Sequence, residues 1–173
     1  MSVIKTTTTY LQMFSPVETK IAAPRADLKI SRIDRLSVDF YRHLYRKVGS
    51  AFHWVDRLVM SDEQLQAIIH GDQVDVLVLT VAEEPAGYSE LDRREPGEIE
   101  LAYFGVFPEA TGQGLGKYLL NYTLRAAWSQ QPRRVWVHTC DLDHPAALPN
   151  YLKAGFQIYD EVTVDQWIPS DRS

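Results

Sequence analysis

The chain has 173 residues, of which 45% are hydrophobic and 24% charged, and its net charge is −5. This composition is typical of a soluble globular protein, and the length gives one domain enough core to fold alone. The mild acidity argues against nucleic acid or an anionic membrane as a partner. The single cysteine, Cys140, excludes an internal disulfide framework, and no apolar run is long enough to span a membrane. We therefore expect one cytoplasmic domain over residues 1–173, with 1–30 as an N-terminal strand and loop region.

The first seventy residues predict two strands followed by two helices. Residues 4–13 are rich in threonine, which favours a strand at the edge of a sheet, and residues 28–33 predict a second strand. Apolar residues then recur at helical spacing from Val38 to Val48, with Asp34 or Ser37 as the N-cap. A second helix begins after Ser61, which stands three residues before a glutamine in the order of a capping box.

From residue 74 onward the pattern predicts a hairpin and then a strand–helix–strand unit. Two apolar runs flank the turn signal EEPAG at 83–87. The predicted elements are then a strand over 98–106, a helix from about Gly114 to Gln130, a strand over 134–139, a short helix over 145–154 and one or two strands over 156–167. The crossover through the long helix should be right-handed and its two strands parallel. The order ββααβββαβαβ predicts an α/β fold with a mostly antiparallel sheet of six or seven strands and helices on both faces.

The turn between the predicted strand 98–106 and the long helix carries alternating glycines at Gly112, Gly114 and Gly116. The dinucleotide pattern G-x-G-x-x-G and the Walker pattern both fail here on spacing. Glycines let the main chain approach a ligand closely, and the free N–H groups of a helix N-terminus suit an anionic phosphate. A purely structural role is disfavoured, because each glycine costs about 1 kcal/mol of helix propensity. The turn therefore predicts binding of a phosphate-bearing cofactor.

Glu100, on the strand that leads into this turn, is the candidate general base, with Glu98 and the more distant Glu90 as fallbacks. A carboxylate shielded from water titrates closer to neutral pH and can then take a proton from an ammonium group. The alternative is a surface carboxylate paired with Arg93 or Arg94. Side chains alternate regularly along a strand, so every second residue is predicted to share one face with Glu100. These residues are Glu98, Glu100, Ala102, Phe104 and Val106.

Two segments resemble the Gcn5-related N-acetyltransferase (GNAT) superfamily. Residues 111–116 are similar to its acetyl-coenzyme A signature, Arg/Gln-x-x-Gly-x-Gly/Ala, with Thr111 in place of the usual first residue. Residues 151–156 are similar to its C-terminal Tyr-x-x-x-Gly-Phe element, with His144 where an asparagine is customary. The match covers about residues 74–160, which would form the cofactor-binding core. It implies a GNAT-like fold and direct transfer of an acetyl group from acetyl-coenzyme A, as co-substrate, to a small-molecule or peptide amine.

The resemblance also implies roles for individual residues. Glu100 would be the general base, and Tyr151 would donate a proton to the coenzyme A sulfur, unless it is only a core tyrosine. The main-chain N–H of Phe104 would stabilise the oxyanion. The implied cofactor-binding residues are Phe104, Gly105, Val106, Thr111, Gly112, Gln113, Gly114, Leu115, Gly116 and Lys117. The aromatic residues Tyr41, Tyr45, Phe52 and Trp54 fall where the family forms its acceptor pocket, although the spacing of the first two favours a core role.

The segment 138–144 (HTCDLDH) suggests two further kinds of chemistry. Its histidines and Cys140 could ligate a metal, but the missing second cysteine disfavours this, and no metal site is predicted. Cys140 could accept the acyl group with a histidine as base, a step that direct transfer does not need. Asp143, just before His144 and a proline, is predicted to cap the short helix.

Two other functions remain open from the sequence. A catalytically weak member that binds coenzyme A as a regulatory module is compatible with Thr111 and His144. An acyltransferase with another acyl donor or a hydroxyl acceptor would use the same residues. The sequence leaves a homodimer open, and it does not identify the acceptor.

Overall fold

The structure, a computed structural model, describes residues 2–16 and 18–168, and their secondary structure follows the predicted order ββααβββαβαβ. The strands are β1 (Ser2–Met13), β2 (Leu28–Arg32), β3 (Val74–Val81), β4 (Glu84–Asp92), β5 (Glu98–Val106), β6 (Arg134–Cys140) and β7 (Gln157–Ile168). The helices are α1 (Val38–Gly49), α2 (Asp62–Ile69), α3 (Leu115–Trp128) and α4 (Ala147–Lys153), with short 3₁₀ turns at Ser50–Phe52 and Pro108–Ala110.

Within the described residues the strands form one sheet of seven in the order β2-β3-β4-β5-β6-β1-β7. The β5–β6 pair is parallel and is joined by the crossover through α3, whereas the other neighbours are antiparallel. The predicted α/β class, with a mostly antiparallel sheet and a parallel crossover unit, is therefore confirmed.

The prediction that the first strand lies at an edge is wrong, because β1 is inserted between β6 and β7. Tyr10 pairs with His138 of β6 on one side and with Asp160 of β7 on the other. Its neighbour Leu11 is fully buried. Threonine-rich composition predicts an extended strand, but it carries no information on partners that are more than 120 residues away in sequence. The two edge strands of the sheet are instead β2 and β7.

Helices cover both faces of the sheet, as two adjacent residues of β4 show. Ser89 forms a hydrogen bond of 2.8 Å with Thr123 of α3, whereas Glu90 accepts one from Tyr41 of α1. Successive side chains of a strand point to opposite faces. Therefore α1 and α3 lie on opposite sides, which we call the α1 face and the α3 face.

Local hydrogen bonds fix the starts of α1 and α2. Ser37, and not Asp34, caps α1 by accepting from the N–H of Phe40 at 3.1 Å. The predicted capping box of α2 is present, with Ser61 and Gln64 bonded to each other's main chain. Of the helices in the described ranges, none is long and apolar enough to cross a membrane.

Candidate active site

The parallel strands β5 and β6 are paired only over their first three residues. The register runs from Glu98 opposite Arg134 to Glu100 opposite Trp136 and then ends. Beyond this point, in the described part of the chain, residues 101–106 of β5 have no pairing partner on β6. The strands therefore open into a cleft, the β5–β6 cleft, which exposes one main-chain edge of β5.

The N–H groups along this edge can be assigned from the pairing with β4. The N–H of Phe107 donates to Ala86 O at 2.7 Å, and Gly105 stands opposite Tyr88 in the same register. Because successive peptide groups of a strand point to opposite edges, the N–H groups of Phe104 and Val106 point into the β5–β6 cleft. This is the orientation that an oxyanion donor at Phe104 would need.

A β-bulge at Ala102 changes which side chains of β5 share a face. Glu90 of β4 pairs with Tyr103 but its neighbour Leu91 pairs with Leu101, so Ala102 is the extra residue. The predicted common face for Glu100 and Phe104 is therefore wrong. Glu100 lies on the α1 face, and Phe104 lies on the α3 face, where it packs against the core beneath α3 and α4.

The turn at residues 111–117, here called the phosphate turn, presents a set of unpartnered main-chain donors. Within residues 2–16 and 18–168, no N–H of residues 112–117 donates a hydrogen bond, and the N-cap of α3 has no side-chain cap. Gly112 and Gly114 have φ of +78° and +77°, the left-handed region that favours glycine. A Cβ added at Gly112 or Gly116 would meet no atom within 4 Å. The turn therefore presents free main-chain donors beside open space, an arrangement that suits an anionic group.

Other predicted cofactor-binding residues are held by contacts within the protein. The Thr111 hydroxyl donates to Pro108 O at 2.8 Å, and the Gln113 side chain accepts from Arg25 at 3.2 Å. The Leu115 side chain is in the core, so this residue presents only its N–H to the turn. On β5, a Cβ at Gly105 would lie 2.3 Å from Val48 of α1, so glycine is needed there for helix packing.

Tyr151 lies beside the β5–β6 cleft on the α3 face. It belongs to α4, and its ring packs 6.2 Å from Phe104 and 5.8 Å from Phe156 between centroids. The residue is 5% exposed, and burial raises the pKa of its hydroxyl, with a further contribution from Asp143. The phenol therefore keeps its proton at neutral pH, as a general acid must before it acts.

Glu100 contacts a histidine and neither of the arginines suggested by the sequence. Its Oε1 lies 3.5 Å from Nδ1 of His138 on β6. Arg93 is instead paired with Asp75, and Arg94 with Asp92. The Glu100 side chain is 21% exposed, so it remains open to a ligand on the α1 face.

A cavity of about 410 Å³ adjoins Glu100 on this face. It is lined by Asp92, Arg94, Glu95, Glu98, Glu100 and Trp136. Four of these six side chains are carboxylates, of which Glu98 is also paired with Arg134 at 3.2 Å. A cavity of this composition attracts cations.

Glu90, the more distant fallback base, is buried in an ion pair. It is 0% exposed, lies 2.6 Å from Arg57, and accepts a hydrogen bond from Tyr41. Burial raises the pKa of Glu90, and Arg57 and Tyr41 oppose this shift. Arg57 belongs to the loop between α1 and α2, so the pair anchors that loop to the sheet and leaves no room for an acceptor at Glu90.

We expect Glu90→Gln to lower the free energy of unfolding by about 3 kcal/mol, because it leaves Arg57 buried without a counter-charge. Urea denaturation measures this loss. The matched variant Glu109→Gln removes an exposed pair with Lys47 and should cost less than about 1 kcal/mol. Equal losses in the two variants would show that the Glu90 pair does not anchor the loop.

The segment 138–144 offers neither a metal site nor a favourable nucleophile. No group of three potential ligands that could hold a metal is found among the described residues. Burial raises the pKa of the Cys140 thiol, which disfavours the reactive thiolate. Asp143 is not a helix cap: it accepts from the Trp54 indole, the Thr139 hydroxyl and the Cys140 N–H. These bonds join the α1–α2 loop to the end of β6. They explain the position of Asp143 better than helix capping does.

Sequence reasoning missed three contacts near the site. His138 reaches Glu100, Asp143 reaches Trp54, and Arg25 reaches Gln113 of the phosphate turn. The partners are 38, 89 and 88 residues apart in sequence, so no local pattern in a single sequence signals them. The grouping of His138 with Cys140 and Asp143 in the sequence did draw attention to this histidine, but it suggested metal binding and not a contact with Glu100.

The sequence model of the Acetyltransferase (GNAT) family matches residues 37–156, more than half of the chain. The chain belongs to the GNAT family. This family is one of acyltransferases, and the match includes both the phosphate turn and Tyr151. None of the curated proteins compared with this GNAT protein matches it.

Solved structures share the fold of this GNAT protein at low sequence identity. A tandem GNAT protein from the clavulanic acid biosynthesis pathway has a TM-score of 0.68 at 18% identity, covering 99% of this chain and 56% of that chain. A GCN5-related N-acetyltransferase from Kribbella flavida has a TM-score of 0.62 at 14% identity, covering 91% and 56%. An aminoglycoside acetyltransferase from an uncultured soil metagenomic sample, in complex with trehalose, has a TM-score of 0.62 at 19% identity, covering 75% and 88%. This chain therefore spans little more than half the length of the first two.

Proposed function

We propose that this GNAT protein transfers an acetyl group from acetyl-coenzyme A directly to a primary amine, with Glu100 as general base and Tyr151 as general acid. One observation carries the proposal. The unpartnered N–H groups of residues 112–117 follow a strand whose free edge opens into the β5–β6 cleft. The first feature suits a diphosphate and the second suits the extended arm that connects it to a thioester.

The two proposed catalytic residues lie on opposite faces of the sheet. Tyr151 packs against Phe104 on the α3 face, and Glu100 adjoins the acidic cavity on the α1 face. The thioester would therefore enter from one face and the amine from the other, meeting in the β5–β6 cleft. An amine that reaches Glu100 through the cavity passes the carboxylates that line it, and their negative charge favours the ammonium form of the amine.

The chain's residues then have separate tasks in the transfer. An aliphatic ammonium has a pKa near 10 and must lose a proton before it attacks, which requires a base such as Glu100. The N–H of Phe104 donates to the carbonyl oxygen as negative charge develops there. The Tyr151 hydroxyl donates to the departing sulfur. The raised pKa of Cys140 argues against an acyl-cysteine intermediate.

A thermal-shift comparison of acyl-coenzyme A thioesters, followed by an amine panel, tests this function. A ligand that binds only the folded protein stabilises it by about 2.7 kcal/mol at 100 times its Kd. We expect acetyl-coenzyme A to raise Tm and an amine to release free thiol. Binding without turnover on a broad panel would indicate the regulatory module instead, and preference for a longer thioester or a hydroxyl acceptor would indicate the other acyltransferase.

We expect Gly116→Phe to abolish most of the Tm increase caused by acetyl-coenzyme A, because the new side chain fills the open space at the phosphate turn. Replacing a glycine in a helix favours folding by up to about 1 kcal/mol, so Tm without ligand should not fall. The same experiment with Gly116→Ala, which adds only a methyl group, is the matched control. A full ligand-induced shift in the phenylalanine variant would contradict phosphate binding at this turn.

A further inference from the structure

Glu100 and His138 meet at the apex of the β5–β6 cleft. Glu100 and Trp136 are the last registered pair before the strands separate, and His138 follows Trp136 by two residues on the same face of β6. The Glu100 carboxylate and the His138 Nδ1 are 3.5 Å apart across this apex. The imidazole is the more accessible partner, with 46% of its side chain exposed against 21% for Glu100.

We propose that His138 takes the proton from the acceptor amine and that Glu100 acts through it, by orienting the imidazole and balancing its positive charge. The inference rests on the proposed transfer reaction, but it makes His138 the group that takes the proton and gives Glu100 a positioning role. Because Nδ1 faces the carboxylate, Nε2 on the opposite side of the ring is the nitrogen that faces an incoming amine. Orientation of a histidine base by a carboxylate is a general catalytic arrangement.

The surroundings of His138 favour this role. Glu100 on β5 raises the pKa of His138, burial opposes the shift, and Asp143 and Asp56 in the neighbouring loops add to it. The aromatic rings of Tyr10 on β1 and Trp136 on β6 pack beside the imidazole, with centroid distances of 5.7 and 6.0 Å. A base whose pKa is raised towards the working pH accepts a proton more effectively.

The proton-transfer step is balanced without any further reactant. An N–H bond of the substrate ammonium breaks, its proton bonds to Nε2, and the electron pair remains on the amine nitrogen for attack on the acetyl carbon. The imidazolium that forms is stabilised by the Glu100 carboxylate beside Nδ1. Its proton then passes to water on the exposed α1 face.

A histidine titration followed by NMR tests the coupling without requiring activity. The chain has five histidines, and His138→Gln identifies the resonance of His138. We expect the pKa of His138 to fall in Glu100→Gln, because the neighbouring negative charge is removed. An unchanged His138 titration would overturn the proposal whether or not the protein is an acetyltransferase.

Kinetics of His138→Gln on the best amine substrate complete the test. We expect kcat to fall about 10²-fold with the KM for acetyl-coenzyme A unchanged, and the acidic limb of the kcat/KM profile to move to lower pH. Without the imidazole, the remaining base at the cleft is a carboxylate. The limb should move because a carboxylic acid in general titrates about two units below an imidazole. His43→Gln, at an exposed position of α1, should leave the rate and the limb unaltered. A wild-type rate, or a lower rate with an unmoved limb, would overturn the role of His138 while leaving the transfer reaction intact.

Discussion

Tyr151→Phe should lower kcat by about 10²- to 10⁴-fold, the range expected when a general acid is lost. The substitution removes a single oxygen from a ring that packs between Phe104 and Phe156, so the surrounding core should keep its shape. The thiolate would then leave without a donor. Steady-state kinetics with acetyl-coenzyme A and the best amine measures the effect.

Tyr151→Phe should remove the proton donor without changing how the ring packs in the core. The unfolding midpoint and the Tm increase caused by acetyl-coenzyme A should both match the wild-type protein. Tyr122→Phe, which changes an exposed tyrosine of α3, is the matched control and should keep full activity. A wild-type rate in Tyr151→Phe would assign Tyr151 to core packing alone.

Glu100→Gln should also lower kcat, by up to about 10²-fold, with little change in the affinity for acetyl-coenzyme A. Glu100 lies near the start of β5, whereas the phosphate turn follows the end of that strand. We therefore expect its charge to act on the acceptor and on His138, which lies 3.5 Å away, rather than on the diphosphate. The acidic limb of the kcat/KM profile should move to lower pH. The sign follows because Glu100 raises the pKa of His138, and an imidazole without this partner loses its proton at lower pH.

A pH series of kcat/KM for the wild-type protein and Glu100→Gln provides the measurement. Glu161→Gln on the exposed β7 strand makes the same chemical change outside the site and should leave both the rate and the pH profile unaltered. If Glu100→Gln retained wild-type turnover at every pH, neither form of the proposed base would survive.

The order of the elements was predictable because it depends on local patterns. Helical spacing and caps such as Ser61 with Gln64 are properties of a few consecutive residues, and the structure contains them. The exposed N–H groups of the phosphate turn were predictable for the same reason, since the glycines and the helix N-terminus that expose them lie within six residues of one another. Phosphate binding there stays a prediction.

The faces of β5 were not predictable, because a bulge depends on pairing with another strand. Alternation along the sequence grouped Glu100 with Phe104, whereas the register with β4 inserts Ala102 and separates them. The predicted edge position of β1 was wrong for the same reason. Strand propensity is a local property, whereas the two partners of β1 are distant in sequence.

The sequence by itself therefore determined the fold class, the phosphate turn and the identities of Glu100 and Tyr151 as candidates. Only the tertiary structure decided that the two residues lie on opposite faces, that Glu100 is paired with His138, and that Glu90 is buried with Arg57. The physical reason is that local propensity and capping act over a few residues. Register, bulges and ion pairs depend on which distant segments fold against each other.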